Sequence, residues 1–454
     1  MDGTVGSFQV AIVGSGPSGF YAAEALLRST LPVHIDMFER LPTPFGLVRS
    51  GVAPDHQKLK QPIQVFERIA RAPEFSFLGN ITVGADITID ALKAAYHAVI
   101  FACGAQNDRR IGIPGEDLKG SHTATEFVGW YNGHPDYRDR IFDLKQDVVA
   151  IVGQGNVAAD VCRILTRPVD ELAISDIAEH ALDALAESEI REVHIIGRRG
   201  PAQAKFTTKE LRELTQLTGT IATIDAAELE LSEICRVELA SPSNVTAQKN
   251  MGLFKSLTGN VPQRGARRIH FRFLASPSAL LGRDRVEQLS LVRNRLTGEA
   301  FAQIATPTQQ FENIACGLVF RSIGYKGVPI PGMPFDASRG LLPNVNGRVT
   351  QGDTVLPGFY VTGWLKRGPS GIIGTNRADS IETVDAVLSD LMAEEPRAAP
   401  GLRALLPMIE RRCPRVVHLS DWFDIDTAEV ERGRIKGKPR EKFTRISEML
   451  AVLS

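Results

Sequence analysis

Twice along the chain a short apolar run ends in closely spaced glycines and is followed at once by an Ala/Leu-rich stretch. The two glycine clusters, beginning at Gly14 and Gly153, stand 139 residues apart. In the first, Phe8 to Val13 leads into Gly14-Ser-Gly16-Pro-Ser18-Gly19, and Phe20 to Leu27 reads as a helix. Strand, tight turn and helix in that order make a parallel βα unit, so the chain is an α/β protein. The glycines permit a tight turn, close approach of backbone to a pyrophosphate, and close helix–strand packing. The helix start adds unpaired N–H groups and a partial positive charge. A second strand, Val33 to Phe38, ends at Glu39, 20 residues past Gly19. A carboxylate there accepts hydrogen bonds from a ribose diol. The framing by strand, helix and acid favours a dinucleotide site over a glycine turn kept for packing alone.

The second cluster has the same grammar and the opposite charge. Val148 to Val152 leads into Gly153-Gln154-Gly155-Asn156-Val157-Ala158-Ala-Asp160, with a helix through Leu165. Alanine for the third glycine is a tolerated variant. The next strand, Val193 to Gly197, ends in Arg198 and Arg199 instead of an acid. A ribose 2′-phosphate would repel a carboxylate, whereas guanidinium groups hold it bidentately. The pair could also be two solvated arginines at a strand end. One chain thus carries two dinucleotide folds, a glutamate-ended one suited to FAD and an arginine-ended one suited to NADP(H).

The rest of the chain bounds the setting. Its 454 residues are about three times a typical ~150-residue domain, which predicts two domains, perhaps interleaved. With 52 basic and 53 acidic residues, bulk binding to nucleic acid or to a membrane surface is not expected. No apolar run approaches the ~20 residues of a bilayer span. The first apolar stretch stops at glycines rather than forming a signal-peptide core. The five cysteines are scattered, with no CxxC pair, so neither a metal knuckle nor a redox dithiol is expected, and a reducing, cytoplasmic setting fits. Residues 168–190 read as a helical excursion. Residues 236–295 carry 11 Lys/Arg against 3 Asp/Glu, which reads either as a solvated basic face or as a docking surface for an acidic partner. The strand Phe359-Tyr-Val-Thr enters a glycine-rich loop and a further helix. Gly433 to Lys442 reads as an exposed basic tail segment.

Several longer runs carry a family resemblance. They are Leu41-Pro-Thr-Pro-Phe-Gly-Leu-Val-Arg-Ser-Gly-Val-Ala-Pro-Asp-His56, Gly104-Ala-Gln, Ile113-Pro-Gly-Glu-Asp, Gly153-Gln-Gly-Asn-Val-Ala, Gly197-Arg-Arg-Gly-Pro, Phe206-Thr-Thr-Lys-Glu-Leu-Arg-Glu213 and Gly363-Trp-Leu-Lys-Arg-Gly-Pro-Ser-Gly-Ile-Ile-Gly-Thr-Asn376. In this order and over most of the chain, they resemble adrenodoxin reductase and the bacterial ferredoxin–NADP(+) reductases. The resemblance implies a three-layer, glutathione-reductase-like α/β fold of two Rossmann-like domains. An FAD domain of residues 1–105 and 332–454 would be interrupted by an NADP domain of residues 106–331.

The resemblance also implies roles. Gly14, Gly16, Ser18 and Gly19 would hold the flavin pyrophosphate and Glu39 its ribose. Leu47 would line the site, the Val83 backbone would meet the adenine, and Trp364 with Gly371, Ile372 and Ile373 would face the isoalloxazine. Gln154, Gly155, Asn156 and Val157, with Arg109 nearby, would take the NADPH pyrophosphate. Arg198 and Arg199 would grip the 2′-phosphate, with Glu210 orienting one of them. His56, Asp160 and Glu213 match polar residues near the redox centre and are the candidates for proton handling or positioning. No metal site is implied. The implied activity is hydride transfer from NADPH to FAD, then single electrons to an acidic, adrenodoxin-like ferredoxin that supplies a cytochrome P450 or another ferredoxin-dependent pathway. That partner would dock on the 236–295 segment with Lys366 and Arg367. A monomer is compatible with the neutral charge. A glutamate-synthase-type flavoprotein subunit, an NADPH oxidase or monooxygenase, and a non-catalytic redox sensor are the rival readings.

Overall fold

A computed structural model describes residues 7–261, 263–393, 397–413 and 415–453. The chain divides into two compact units. The first comprises 1–108, 132–135 and 324–454; the second comprises 109–131 and 136–323.

The first unit is built on a seven-stranded sheet. Phe8–Val13 lies at its centre, paired in parallel with Val33–Phe38 on one side and Ala98–Phe101 on the other. The chain winds outward to Phe75–Leu78 on the first side, then returns to the other, where Thr354–Val361 adds in parallel and Arg348–Gln351 antiparallel. That reversal beside Phe8–Val13 is the switch point at which open α/β sheets leave a crevice. The strands read as apolar runs because both faces are covered: Val10, Ala11 and Ile12 are wholly buried. Helix Pro17–Leu27 lies against helix Thr375–Ala393, where the Ser380 hydroxyl donates to the Ser18 carbonyl at 3.0 Å.

The second unit repeats the plan with six parallel strands. Their order across the sheet is 121–123, 318–321, 148–152, 192–196, 267–272 and 220–224. Its switch point lies beside Val148–Val152. An antiparallel three-stranded sheet, Ala275–Leu281, Gln288–Thr297 and Ile304–Ala315, is added to it. The excursion at 168–190 forms two helices, Val169–Ala173 and Glu179–Ala186.

Two expectations are corrected. The segment 433–442 is exposed only in part: Arg434 to Gly437 and Pro439 face solvent, but Lys438, Glu441 and Lys442 are all buried. After helix Leu419–Ile435 the chain turns back, and the Glu441 N–H donates to the Glu429 carbonyl at 2.9 Å. Lys442 Nζ donates to the backbone oxygens of Arg49 (3.2 Å) and Asn132 (3.1 Å). At the middle of this clasp, Glu429 is wholly buried and receives both guanidinium nitrogens of Arg49, at 2.8 and 2.5 Å.

The second correction concerns the basic segment, whose charge is largely consumed internally. Arg236 pairs with Glu233, Arg268 with Glu192, Arg272 with Glu312, Arg285 with Asp143 and Arg293 with Glu228. Arg267 donates to the carbonyls of Ile190 and Thr166. Lys249, Lys255, Arg264, Arg283 and Arg295 stay exposed.

Candidate functional site

The first glycine turn separates structural glycines from an open one. Gly14 sits at φ +106°, and a Cβ there would lie 2.7 Å from the Ala102 carbonyl oxygen. A Cβ on Gly19 would lie 2.2 Å from the Gly14 carbonyl oxygen. Both are therefore required by packing. Gly16 has an ordinary φ of −76° and no heavy atom within 4 Å of where its Cβ would be. Its missing side chain leaves a vacant approach to the backbone at the start of an 11-residue helix. That helix has no side-chain cap and no acid in its first turn. Exposed N–H groups and an open approach are what an anionic pyrophosphate needs.

Glu39 is already aimed across this turn. Its Oε2 accepts from the Ser15 N–H at 3.0 Å and the Ser15 hydroxyl at 2.6 Å, and its Oε1 from the Leu41 N–H at 3.1 Å. The following loop lies on the turn: the Phe45 N–H donates to the Ser15 carbonyl at 3.0 Å, and a Cβ on Gly46 would meet Gly16 Cα at 3.0 Å. Phe45 is held at φ +82°, a costly conformation for a large side chain. Its burial against Phe20, Phe66 and Trp422 offsets that cost. Leu47 begins the short helix after this loop and is 39% exposed. Val83 is half-buried and bridges to Ile87.

The glycine-rich loop near the C-terminus meets the same helix end. Gly363 is at φ +70°, and a Cβ there would lie 2.1 Å from Ser18 Oγ. Its N–H donates to Asp379 at 2.5 Å. Trp364 is half-buried, stacks on Tyr325 with ring centroids 5.4 Å apart, and donates from Nε1 to the Ser370 carbonyl. Gly371 has φ +84°, Ile372 is 67% exposed, and Ile373 packs on the core. Lys366 does not belong to a docking face. Its side chain is 8% exposed and its ammonium pairs with Asp379 (3.2 Å) and Glu382 (3.3 Å). Arg367 is tied to Asn376 and Asp379.

The second turn is built alike. Gly153, at φ +149°, would bring a Cβ within 2.2 Å of the Ser322 carbonyl oxygen, while Gly155 again faces open space. Ala158, in the third glycine's place, is fully buried. Gln154 and Asn156 zip this loop to its neighbours. The Lys205 N–H donates to the Gln154 carbonyl at 2.7 Å, and the Thr207 N–H to Asn156 Oδ1 at 2.8 Å. Val157 packs partly against the core. Arg198 is exposed and Arg199 half-buried; among the described residues neither guanidinium hydrogen-bonds to a side chain. Their backbone is fixed instead. The Arg198 carbonyl accepts from Asn294 Nδ2 at 2.9 Å, and the Arg199 carbonyl from Gln154 Nε2 and the Leu274 N–H. Two cations on a rigid strand end, Arg199 also within electrostatic reach of Glu238, fit a 2′-phosphate. Arg109, also exposed, is the first residue of this unit.

Sequence reasoning missed the residue that organises the acidic candidates. Arg163 is fully buried; it donates to Asp160 at 2.8 Å and Glu210 at 3.1 Å, and lies 3.7 Å from Glu213. Glu210, expected to orient the arginine pair, is thus engaged by Arg163. The one available signal was the Asp160/Arg163 spacing of three on a helix that is otherwise apolar between Asn156 and Thr166. His56, in the first unit, starts the turn Gln57–Lys60, and its N–H donates to the Ala53 carbonyl.

Two glycine cradles, one ended by a carboxylate and one by arginines, define a pyridine-nucleotide flavoprotein of the glutathione-reductase-like α/β class. Comparison with known proteins agrees. Residues 8–214 match the family model described as pyridine nucleotide-disulphide oxidoreductase. The chain is 45% identical to the NADPH-ferredoxin reductase FprA of Mycobacterium leprae over 98% of both chains. It is 44% identical to the mitochondrial NADPH:adrenodoxin oxidoreductase of Bos taurus, over 98% of this chain and 92% of that one. The structure of Mycobacterium tuberculosis FprA in complex with NADPH aligns with a TM-score of 0.93 at 43% identity, covering 98% of this chain and 99% of that one. The chain belongs to the family of adrenodoxin reductases and bacterial ferredoxin–NADP(+) reductases.

Proposed function

We propose that this chain is an FAD-dependent NADPH–ferredoxin reductase that moves electrons from NADPH to a one-electron iron–sulfur carrier. The observation that carries the reading is the contrast between the two strand ends, Glu39 beside one open glycine and Arg198–Arg199 beside the other. Bound FAD supplies the chemistry, taking electrons from NADPH as a pair and releasing them one at a time. The chain's own residues hold, orient and discriminate. The backbone at Gly14, Gly16, Ser18 and Gly19 takes the flavin pyrophosphate, and Glu39 exchanges part of its bonding to Ser15 for the ribose hydroxyls. Leu47, Val83, Trp364, Gly371, Ile372 and Ile373 line the flavin. Gln154, Gly155, Asn156, Val157 and Arg109 hold the NADPH pyrophosphate. Arg198 and Arg199 read its 2′-phosphate. Asp160 and Glu213 are kept in place by Arg163, and with His56 they manage protons or set polarity near the reacting rings.

The partner is an acidic ferredoxin, met by exposed cations of the 236–295 segment that have no internal counter-ion. The enzyme acts as a monomer in the cytoplasm. Its five cysteines, four of them buried and none in a disulfide, support a reducing setting. No helix among the described residues is long and apolar enough to cross a membrane.

The double substitution Arg198→Ala with Arg199→Ala tests this reading. Two charge-assisted bonds worth about 1.5–3 kcal/mol each correspond to a rise in the NADPH KM of at least ~100-fold. The NADH rate should barely move. An equal effect on both cofactors would refute the phosphate assignment.

A further inference from the structure

On the sheet of the second unit, the strand Glu192–Ile196 opens with Glu192, and His194 follows two residues later on the same face. In the adjacent parallel strand Arg267–Arg272, His270 is the direct register partner of His194. Three side chains therefore leave one sheet face side by side. The Nε2 atoms of His194 and His270 each lie 3.0 Å from the same oxygen, Glu192 Oε1. One ligand atom from each residue falls within 4.8 Å of the others. Donors of a tetrahedral ion with ~2.0–2.1 Å bonds stand about 3.3 Å apart, so a small rotation of each ring completes the set.

The proton count points the same way. The Thr223 hydroxyl lies 3.3 Å from the Ile269 carbonyl and 3.1 Å from His270 Nδ1. With the hydroxyl donating to the carbonyl, Nδ1–H donates to the hydroxyl and His270 Nε2 presents its lone pair toward the carboxylate, an arrangement that a metal ion completes. His270 Nε2 is buried and, among the described residues, makes no hydrogen bond. Arg268 holds the other Glu192 oxygen at 2.6 Å and fixes the carboxylate, while Arg272 is neutralised by Glu312 and Glu228.

We propose that Glu192, His194 and His270 form a binding site for a divalent transition metal of the zinc class. His194 and Glu192 precede Arg198 by four and six residues, roughly 13–20 Å at ~3.3 Å per residue, so the site is separate from the nucleotide cradle. Two imidazoles and one carboxylate, with a fourth position for water, favour zinc or cobalt over calcium or magnesium.

The test uses the full-length FAD-loaded protein, treated with a chelator, dialysed, and titrated calorimetrically with Zn²⁺ alone. The expected result is one saturable site per chain. His270→Ala and Glu192→Gln should each abolish it without changing NADPH-driven ferricyanide reduction, which also shows that the variants fold. Thr223→Val, which removes the partner of His270 Nδ1 together with the hydroxyl's bond to the Ile269 carbonyl, should weaken binding by roughly 10- to 100-fold. No saturable binding to the parent protein, or binding undiminished in both ligand variants, overturns the proposal.

Discussion

Glu429→Gln is the sharpest test of how the C-terminal clasp supports the flavin turn. Glu429 is wholly buried and receives two bonds from Arg49, one from Arg440 at 3.3 Å and one from the Phe443 N–H at 2.9 Å. Glutamine keeps the shape and removes the charge, leaving Arg49, itself 8% exposed, without its counter-ion. Breaking one side of a buried pair costs about 3–5 kcal/mol. At roughly 2–4 °C per kcal/mol for a unit of this size, the melting temperature should fall by about 6–20 °C. The sign of the pH dependence also follows. Burial pushes the Glu429 carboxyl up, but Arg49, its hydrogen bonds and Arg440 hold it below the ordinary range. A depressed folded pKa stabilises above the unfolded value of ~4.3 and loses that stabilisation as pH falls through the folded value. Melts followed by circular dichroism and flavin fluorescence between pH 3 and 7 should therefore converge for parent and variant at the acid end. A loss at pH 7 below about 1 kcal/mol, in the range of a surface pair, would refute the reasoning.

Other predictions are independent of that clasp. Gly16→Ala should leave a folded but colourless protein, its flavin absorbance reduced at least ~10-fold (about 1.4 kcal/mol), because the new Cβ touches no protein atom. Gly14→Ala, at φ +106° and 2.7 Å from a carbonyl, should instead fail to fold, as read by solubility and circular dichroism. Burial pushes the thiols of Cys103 and Cys316 up to about 12, so very little of either is thiolate at pH 8. Iodoacetamide at pH 8 should therefore leave NADPH-driven turnover unchanged. Arg163→Leu removes the buried guanidinium that Asp160 and Glu210 share; a loss of about 3–5 kcal/mol and a shifted pH profile of flavin reduction by NADPH are expected.

Local signals in the sequence were enough to locate both glycine turns. An apolar run feeding a glycine cluster is a contiguous pattern, and Glu39, Arg198 and Arg199 follow at the end of the next strand, 20 residues past Gly19 in the first unit and 40 past Ala158 in the second, where the helical excursion intervenes. Charge partners were not legible, because they are assembled across the chain. Arg49 and Glu429 are 380 residues apart, and nothing around Lys442 marks it as buried. The basic window 236–295 looked unpaired only because Glu192, Glu228, Glu233, Glu312 and Asp143 all lie outside it. Arg163 was hidden for a related reason: an arginine on an amphipathic helix ordinarily faces solvent, and only the surrounding carboxylates show that this one does not. Lys366 looked like a docking cation because its partners Asp379 and Glu382 sit on the next helix.

The most direct test is NADPH-driven reduction of cytochrome c by the purified yellow protein, with and without added ferredoxin, at low and high salt. The account predicts a large ferredoxin-dependent rate that weakens as salt screens the docking charges. Fast flavin reduction with a cytochrome c rate indifferent to ferredoxin would contradict it, leaving two nucleotide sites without the proposed electron acceptor.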